Sequence, residues 1–286
     1  MNGVTPLNTI NHSRDSAGLR YIYPVFSRRS GGLSVGVNLN PNNACNWRCV
    51  YCQVPGLVRG ASPAIELTLL EKELSSLLTD IQSGEFHKRY WLPENNTLIR
   101  DIAISGNGEP TSCREFGEVL AIVGRVCARF GSLASLKKIL ITNGSLIMRV
   151  PVQRGLSDWS AQGGEVWFKL DSATTSGIRR INNVNLSVPK MLRNLETCAR
   201  LCPTWIQTCL FAMDGNPPDE TELAAYLDLL ATVRRWDAPV KGVLLYGLAR
   251  PSLQREADRL SALPRAWLDD LGDRVKAIGF PVQVHA

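Results

Sequence analysis

The chain has no apolar run approaching the ~18 residues that cross a bilayer, no repeating period, and no block of about five or six like charges. The first absence excludes a membrane-spanning helix, and the second excludes collagen, coiled coils and repeat arrays. Hydrophobic residues make up 44% of the chain, which excludes a disordered one. The N-terminal stretch through Asp15 lacks the apolar core of a secretory signal, so a cytoplasmic location is expected. Eight cysteines in 286 residues are too sparse for a disulfide framework, and the cytoplasm would keep them reduced.

What is present suits a large globular core. No linker interrupts the 286 residues, so one domain is expected. Thirty-two Lys and Arg against 26 Asp and Glu give a net charge of +6. That mild excess permits a phosphate-bearing partner and is equally that of an ordinary surface. Residues 1–33 read as an irregular extension, and 34–286 as a core of alternating strands and helices. Apolar patterning predicts strands over 34–39, 98–105, 136–142, 165–171, 205–212 and 240–246, with a short closing strand over 281–284. Helices are predicted over 65–81, 116–130, 189–201, 220–234 and 264–271, and residues 84–96 read as a loop excursion. Strands separated by helices imply parallel pairing, and six such units suit an incomplete (β/α)6-type barrel better than a flat sheet. The fold class expected is therefore a single-domain α/β partial barrel.

In such a fold the site lies beyond the carboxyl ends of the strands. Cys45, Cys49 and Cys52 follow the first predicted strand directly, within eight residues. Three thiolates in one loop can converge on a metal centre. No further Cys or His pair has the spacing of a four-ligand zinc site, and no fourth Cys follows as in a ferredoxin. Three ligands on a four-iron cluster would leave one iron open, the layout of a reactive centre.

This triplet, with Tyr51 just before its third cysteine, resembles the signature of the radical S-adenosylmethionine (radical SAM) superfamily. The resemblance implies a [4Fe–4S] cluster on Cys45, Cys49 and Cys52. It also implies SAM chelated by the open iron, Tyr51 beside the adenine, and reductive cleavage of SAM to a 5′-deoxyadenosyl radical. After the second predicted strand, Gly106-Asn107-Gly108-Glu109-Pro110 resembles the superfamily's Gly-Gly-Glu-Pro motif, which meets the SAM amino group. Glycines allow close backbone approach, and a carboxylate suits an ammonium. Asn107 departs from the usual Gly-Gly pair. At later strand ends, Asn143 is a candidate for the SAM ribose, Lys169 for the SAM carboxylate, and Asp171 for orienting either ligand. Asn143-Gly144 as a plain turn and Lys169 as a solvated edge residue are equally open readings. Cys209 and Arg250 are substrate candidates at the same mouth.

Cys198, Cys202 and Cys209 form a second group, but a helix, a turn and a strand carry them, so they read as buried core residues. The 165–171 strand and the late Tyr246-to-Pro251 segment are similar to the wyosine-synthase-like branch, which modifies a transfer RNA base. Three functions stay open. The first is a radical SAM enzyme acting on RNA, with Arg28, Arg29, His87, Lys88 and Arg89 on phosphates and Trp47 or Trp91 stacking a splayed base. The second acts on a small molecule, peptide or protein. The third is a non-catalytic metal-binding or redox-sensing protein. Either enzyme would need an electron donor of flavodoxin or ferredoxin type, and sequence leaves the oligomeric state open.

Overall fold

In the computed structural model, residues 17–27, 31–90, 98–133, 136–238 and 240–285 are described. Eight strands form one open sheet: β1 (Ile22–Ser27), β2 (Gly32–Val37), β3 (Ile99–Ile104), β4 (Lys137–Thr142), β5 (Gly164–Lys169), β6 (Thr204–Leu210), β7 (Val240–Gly247) and β8 (Val282–His285). Their spatial order is their chain order. All neighbours from β2 to β8 pair parallel, and β1 alone runs antiparallel to β2. Parallel neighbours need long crossovers, and helices supply them. They are α1 (Leu67–Gln82) with α2 (Glu85–Tyr90), α3 (Phe116–Arg129), α4 (Val150–Ala161), α5 (Thr175–Asn182) with α6 (Val188–Leu201), α7 (Glu220–Arg234) and α8 (Arg265–Ala277). This is the expected single-domain partial barrel.

Three expectations change. Residues 1–33 are not irregular throughout, because Ile22–Ser27 is a sheet strand. Its register is set partly by a buried carboxylate: Glu73 on α1 accepts the N–H groups of Arg20 (2.9 Å) and Tyr21 (2.8 Å). Within 84–96, α2 forms because Phe86 and Tyr90, one helical turn apart, are both buried and stack at 4.6 Å. Arg28, Arg29 and Trp91 lie outside the described residues. Two further helices, α4 and α5, were not expected. Pro151 sits in the first turn of α4, and the Thr174 hydroxyl caps α5 by accepting from the Gly177 N–H.

Strand residues alternate between two environments. One face packs under the helices, where Leu33, Val35, Ile102, Ile104, Leu140, Val166, Phe168, Ile206, Val243 and Leu245 join the main core. The other lines the lumen with Ala103, Ile139, Trp167 and Leu244. Tyr23 of β1 belongs to the lumen and lies across Gly36 of β2. A Cβ on Gly36 would meet the Tyr23 ring at 2.1 Å, and the Tyr23 hydroxyl reaches Ser105 Oγ at 3.0 Å. Gly36→Ala should therefore cost about 1–3 kcal/mol in thermal or denaturant unfolding. The cost should largely vanish in a Tyr23→Ala background, read as a double-mutant cycle.

Candidate active site

The site occupies the carboxyl ends of the strands, above a lumen cavity of about 290 Å³. Cys45, Cys49, Cys52, Tyr51, Gly106, Asn107, Gly108, Glu109, Asn143, Lys169, Cys209 and Arg250 all line it. Of the sequence candidates, Asp171 is not among the lining residues.

The cysteine loop is held from below and from both sides. Asn38, the first residue after β2, uses its Oδ1 to accept the N–H groups of Asn40 and Asn107, both at 3.0 Å. Asn43 takes the left-handed conformation at φ 53°, which asparagine tolerates better than most residues. On one flank, the end of α5 receives the loop backbone: Val50 N–H donates to Ile181 O (2.8 Å) and Arg48 N–H to Asn182 O (3.2 Å). On the other, Ser252 Oγ donates to Val50 O (2.6 Å) and Leu253 N–H to Cys52 O (2.9 Å). Arg48 also forms a two-pronged pair with Glu256, at 2.8 and 2.7 Å.

The Gly-Asn-Gly-Glu-Pro turn packs directly on this loop. A Cβ on Gly106 would meet Asn38 Oδ1 at 2.2 Å, and one on Gly108 would meet Ala44 O at 2.0 Å. Asn107, the departure from the family pattern, donates from Nδ2 to Asn43 Oδ1 (2.6 Å) and so ties the turn to the loop. The Glu109 carboxylate accepts four hydrogen bonds, from Thr111 N–H (3.1 Å), Thr111 Oγ1 (2.6 Å), Thr142 Oγ1 (2.5 Å) and Asn143 N–H (2.7 Å). Burial pushes its pKa up, and these donors oppose that rise. Glu109 thus joins the ends of β3 and β4. Asn143 is engaged too: its Oδ1 accepts from Ser145, and its Nδ2 donates to Asn46 Oδ1 (2.8 Å).

Asp171 organises the opposite wall from behind. Its Oδ2 accepts from Tyr51 OH (2.5 Å) and Asn182 Nδ2 (2.8 Å), and its Oδ1 from Cys209 N–H (3.1 Å). Lys169 reaches forward, its Nζ 4.7 Å from the Tyr51 ring centre and donating to Tyr246 OH at 3.2 Å. Burial is the largest influence and opposes its charge, but Asp171 at 3.9 Å, Tyr246, Cys49 and Cys209 together outweigh it and hold the Lys169 ammonium above its ordinary range. Asn182, which sequence reasoning missed, also donates to Cys49 Sγ at 3.2 Å.

The three thiols suit a shared iron–sulfur centre. All are half-buried and border one cavity, and Cys45 Sγ accepts the Trp47 N–H at 3.4 Å as Cys49 Sγ accepts from Asn182. Such N–H donors favour the thiolate form that a cluster requires. Among the described residues, no three His, Cys, Asp or Glu side chains gather around a single ion. The second cysteine group is divided by the sheet. Cys198 meets Thr204 Oγ1 (3.5 Å) on the helix side, Cys202 donates to Gly164 O (3.4 Å), and Cys209 faces the lumen.

No family model matches the chain. It is 23% identical over 239 residues to the UPF0026 protein slr1464 of Synechocystis sp., a stretch that covers 82% of this chain and 78% of that protein. A radical SAM methyltransferase from Sphaerobacter thermophilus superposes with a TM-score of 0.58 at 14% identity, covering 92% of this chain and 68% of the other. The fold is that of the radical SAM enzymes. A TYW1 structure carrying a lysine–pyruvate adduct has it too, with a TM-score of 0.55, 14% identity, and coverage of 85% and 73%. The resemblance drawn from the triplet and the glycine-rich turn therefore stands on a radical SAM fold, with both motifs at adjacent strand ends.

The Arg48–Glu256 pair gives this loop a pH signature. Arg48 holds the Glu256 carboxyl down at about 2, below its ordinary range. A carboxylate depressed by folding stabilises fully above the unfolded value of ~4.3, and the contribution fades as pH falls through the folded value. Glu256→Gln should cost about 1.5–3 kcal/mol at pH 7, and the gap to the unaltered protein should close towards pH 2 in denaturant titrations.

Proposed function

We propose that this protein is a radical SAM enzyme whose preferred substrate is a base of transfer RNA. The observation that carries the first half is the meeting of two independent motifs: three half-buried thiols and the Gly-Asn-Gly-Glu-Pro turn border one cavity at the ends of β2 and β3. Cys45, Cys49 and Cys52 would hold a [4Fe–4S] cluster. When bound, that cluster supplies the electron that cleaves SAM to methionine and a 5′-deoxyadenosyl radical.

The protein's own residues then have definable tasks. Gly106 and Gly108 bring backbone close to the cysteine loop, so a ligand amino group can lie against the turn. Lys169 offers a fixed positive charge to a carboxylate. Tyr51, with its hydroxyl tied to Asp171, presents an immobile ring face to an adenine. Asp171 acts through these groups as a positioning residue. Below them Ala103, Ile139, Ile141 and Trp167 form an apolar wall that limits water near a reactive species.

Transfer RNA is preferred because of the branch resemblance and the charge at the rim. Arg179 and Arg180 stand exposed on α5, which abuts the cysteine loop, and neither forms an ion pair among the described residues. They suit phosphates better than His87, Lys88 and Arg89. Those follow α1, whose end returns towards the amino edge of the sheet, and there Lys88 pairs with Glu85 and Arg89 with Asp80. Trp47 is only 5% exposed, so it is a wall of the chamber and no surface platform. A flavodoxin- or ferredoxin-type protein is the proposed electron donor. No helix among the described residues is long and apolar enough to cross a membrane.

Anaerobic reconstitution should yield about four irons and four sulfides per chain. Replacing Cys45, Cys49 or Cys52 singly with Ala should abolish 5′-deoxyadenosine production by a chemically reduced enzyme supplied with SAM. Retained production in any of the three would overturn the ligand set. Mass spectrometry of transfer RNA nucleosides from cells with and without the gene should show one modified nucleoside lost and its precursor accumulated. An unchanged profile would transfer the assignment to a small-molecule or peptide substrate.

A further inference from the structure

One polar side chain in the lumen is left over from this account. Gln207 lies in the middle of β6, in register with Lys169 of β5 and Leu244 of β7. It is 1% exposed, it lines the cavity, and its Nε2 has no hydrogen-bond partner among the described residues. The next two residues of the strand are accounted for. Thr208 points the other way and meets Tyr226 OH at 2.7 Å, and the Cys209 N–H is bound by Asp171. The indole N–H of Trp205 on the same strand is also without a partner among the described residues, but a primary amide carries more unmet capacity, and its burial is costly. The group is retained where a ligand supplies the missing partner.

The surroundings restrict what that ligand is. The nearest cation in register, Lys169, is met by Asp171 at 3.9 Å and Tyr246 OH at 3.2 Å, and the charge it still offers is the one assigned above to the SAM carboxylate. Leu244 beside it and Trp167 and Ile139 deeper in the lumen form one apolar cluster. An anion placed beside Gln207 would be buried without a free counter-charge, whereas a neutral polar group would not carry that penalty. A primary amide holds a donor and an acceptor side by side, and one group completes both: another amide edge, with a carbonyl beside an N–H.

We propose that Gln207 is the substrate-recognising residue of the lumen and pairs with a neutral amide or cyclic-amide edge of the substrate, laid against Trp167. This rests on the reading of the cavity as a substrate chamber and names the chemistry it accepts.

The test uses three probes of nearly equal shape (benzamide, benzoate and toluene) titrated by ligand-observed NMR into the full-length, cluster-loaded protein, with and without SAM. Benzamide should bind more tightly than benzoate. Gln207→Leu should weaken benzamide about tenfold, the worth of a hydrogen bond, and leave toluene within about twofold. The same variant should raise the Tm of the ligand-free protein by about 2–4 °C, since it removes an unpartnered polar group. If Gln207→Leu does not fold, Gln207→Met replaces it, with the same expectations. Unchanged benzamide affinity in the variant would overturn the proposal and return Gln207 to a structural role. Tighter binding of benzoate than of benzamide would also overturn it, in favour of an anion site. Binding is read without turnover, so its failure leaves 5′-deoxyadenosine production standing, and failure of that chemistry leaves the binding result standing.

Discussion

The contact on which the site depends is the close approach of two backbones at adjacent strand ends. Gly106 and Gly108 lie so near Asn38, Asn40 and the Ala44 carbonyl that any side chain on either glycine would separate the turn from the cysteine loop. That approach puts the loop's thiols and the turn's polar groups on one cavity. The asparagines complete it, since Asn38 binds backbone from both segments and Asn107 reaches Asn43. The residue that looked like an interruption of the family motif is the one that joins it to the loop.

A second constraint comes from buried carboxylates that hold the walls together. Glu109 is surrounded by four donors and joins β3 to β4. Asp171 collects Tyr51, Asn182 and the Cys209 backbone, and Asn182 carries that order on to Cys49. A half-barrel open along one edge has no strand pairing to rigidify its mouth. Such satisfied polar networks serve instead, because in a low-dielectric interior they fix side chains to single geometries. Lys169 is the complement: anchored by Asp171, it lines the chamber as a cation, with Arg250 on the same cavity.

The sheet also separates structural from chemical uses of one residue type. Cys198 and Cys202 pack on the helix side with Thr204 and Gly164 as partners, while Cys209 faces the lumen. Cys198 lies on α6 and Cys202 just after it, whereas strand alternation turns Cys209 to the lumen and divides Gln207 from Thr208.

Much was legible from the chain itself. The parallel sheet followed from apolar segments alternating with helical ones, and the candidate metal-binding loop from three cysteines within eight residues. These are local signals, carried by periodicity and spacing. Asn182, the Arg48–Glu256 pair and the lumen position of Tyr23 left no such trace, because their partners Cys49, each other and Ser105 are 133, 208 and 82 residues away and meet only when the sheet curls. Ile22–Ser27 was missed for a related reason: its strand character depends on pairing with β2 and on Glu73 of a later helix. The sequence by itself determined most of the strands and helices and which loop carries the thiols, since helix and strand periods and motif spacing are properties of neighbouring residues. Only the tertiary structure decided which polar groups are consumed in holding the walls and which are left facing the cavity. That choice depends on the register and curvature that bring distant partners within hydrogen-bond reach.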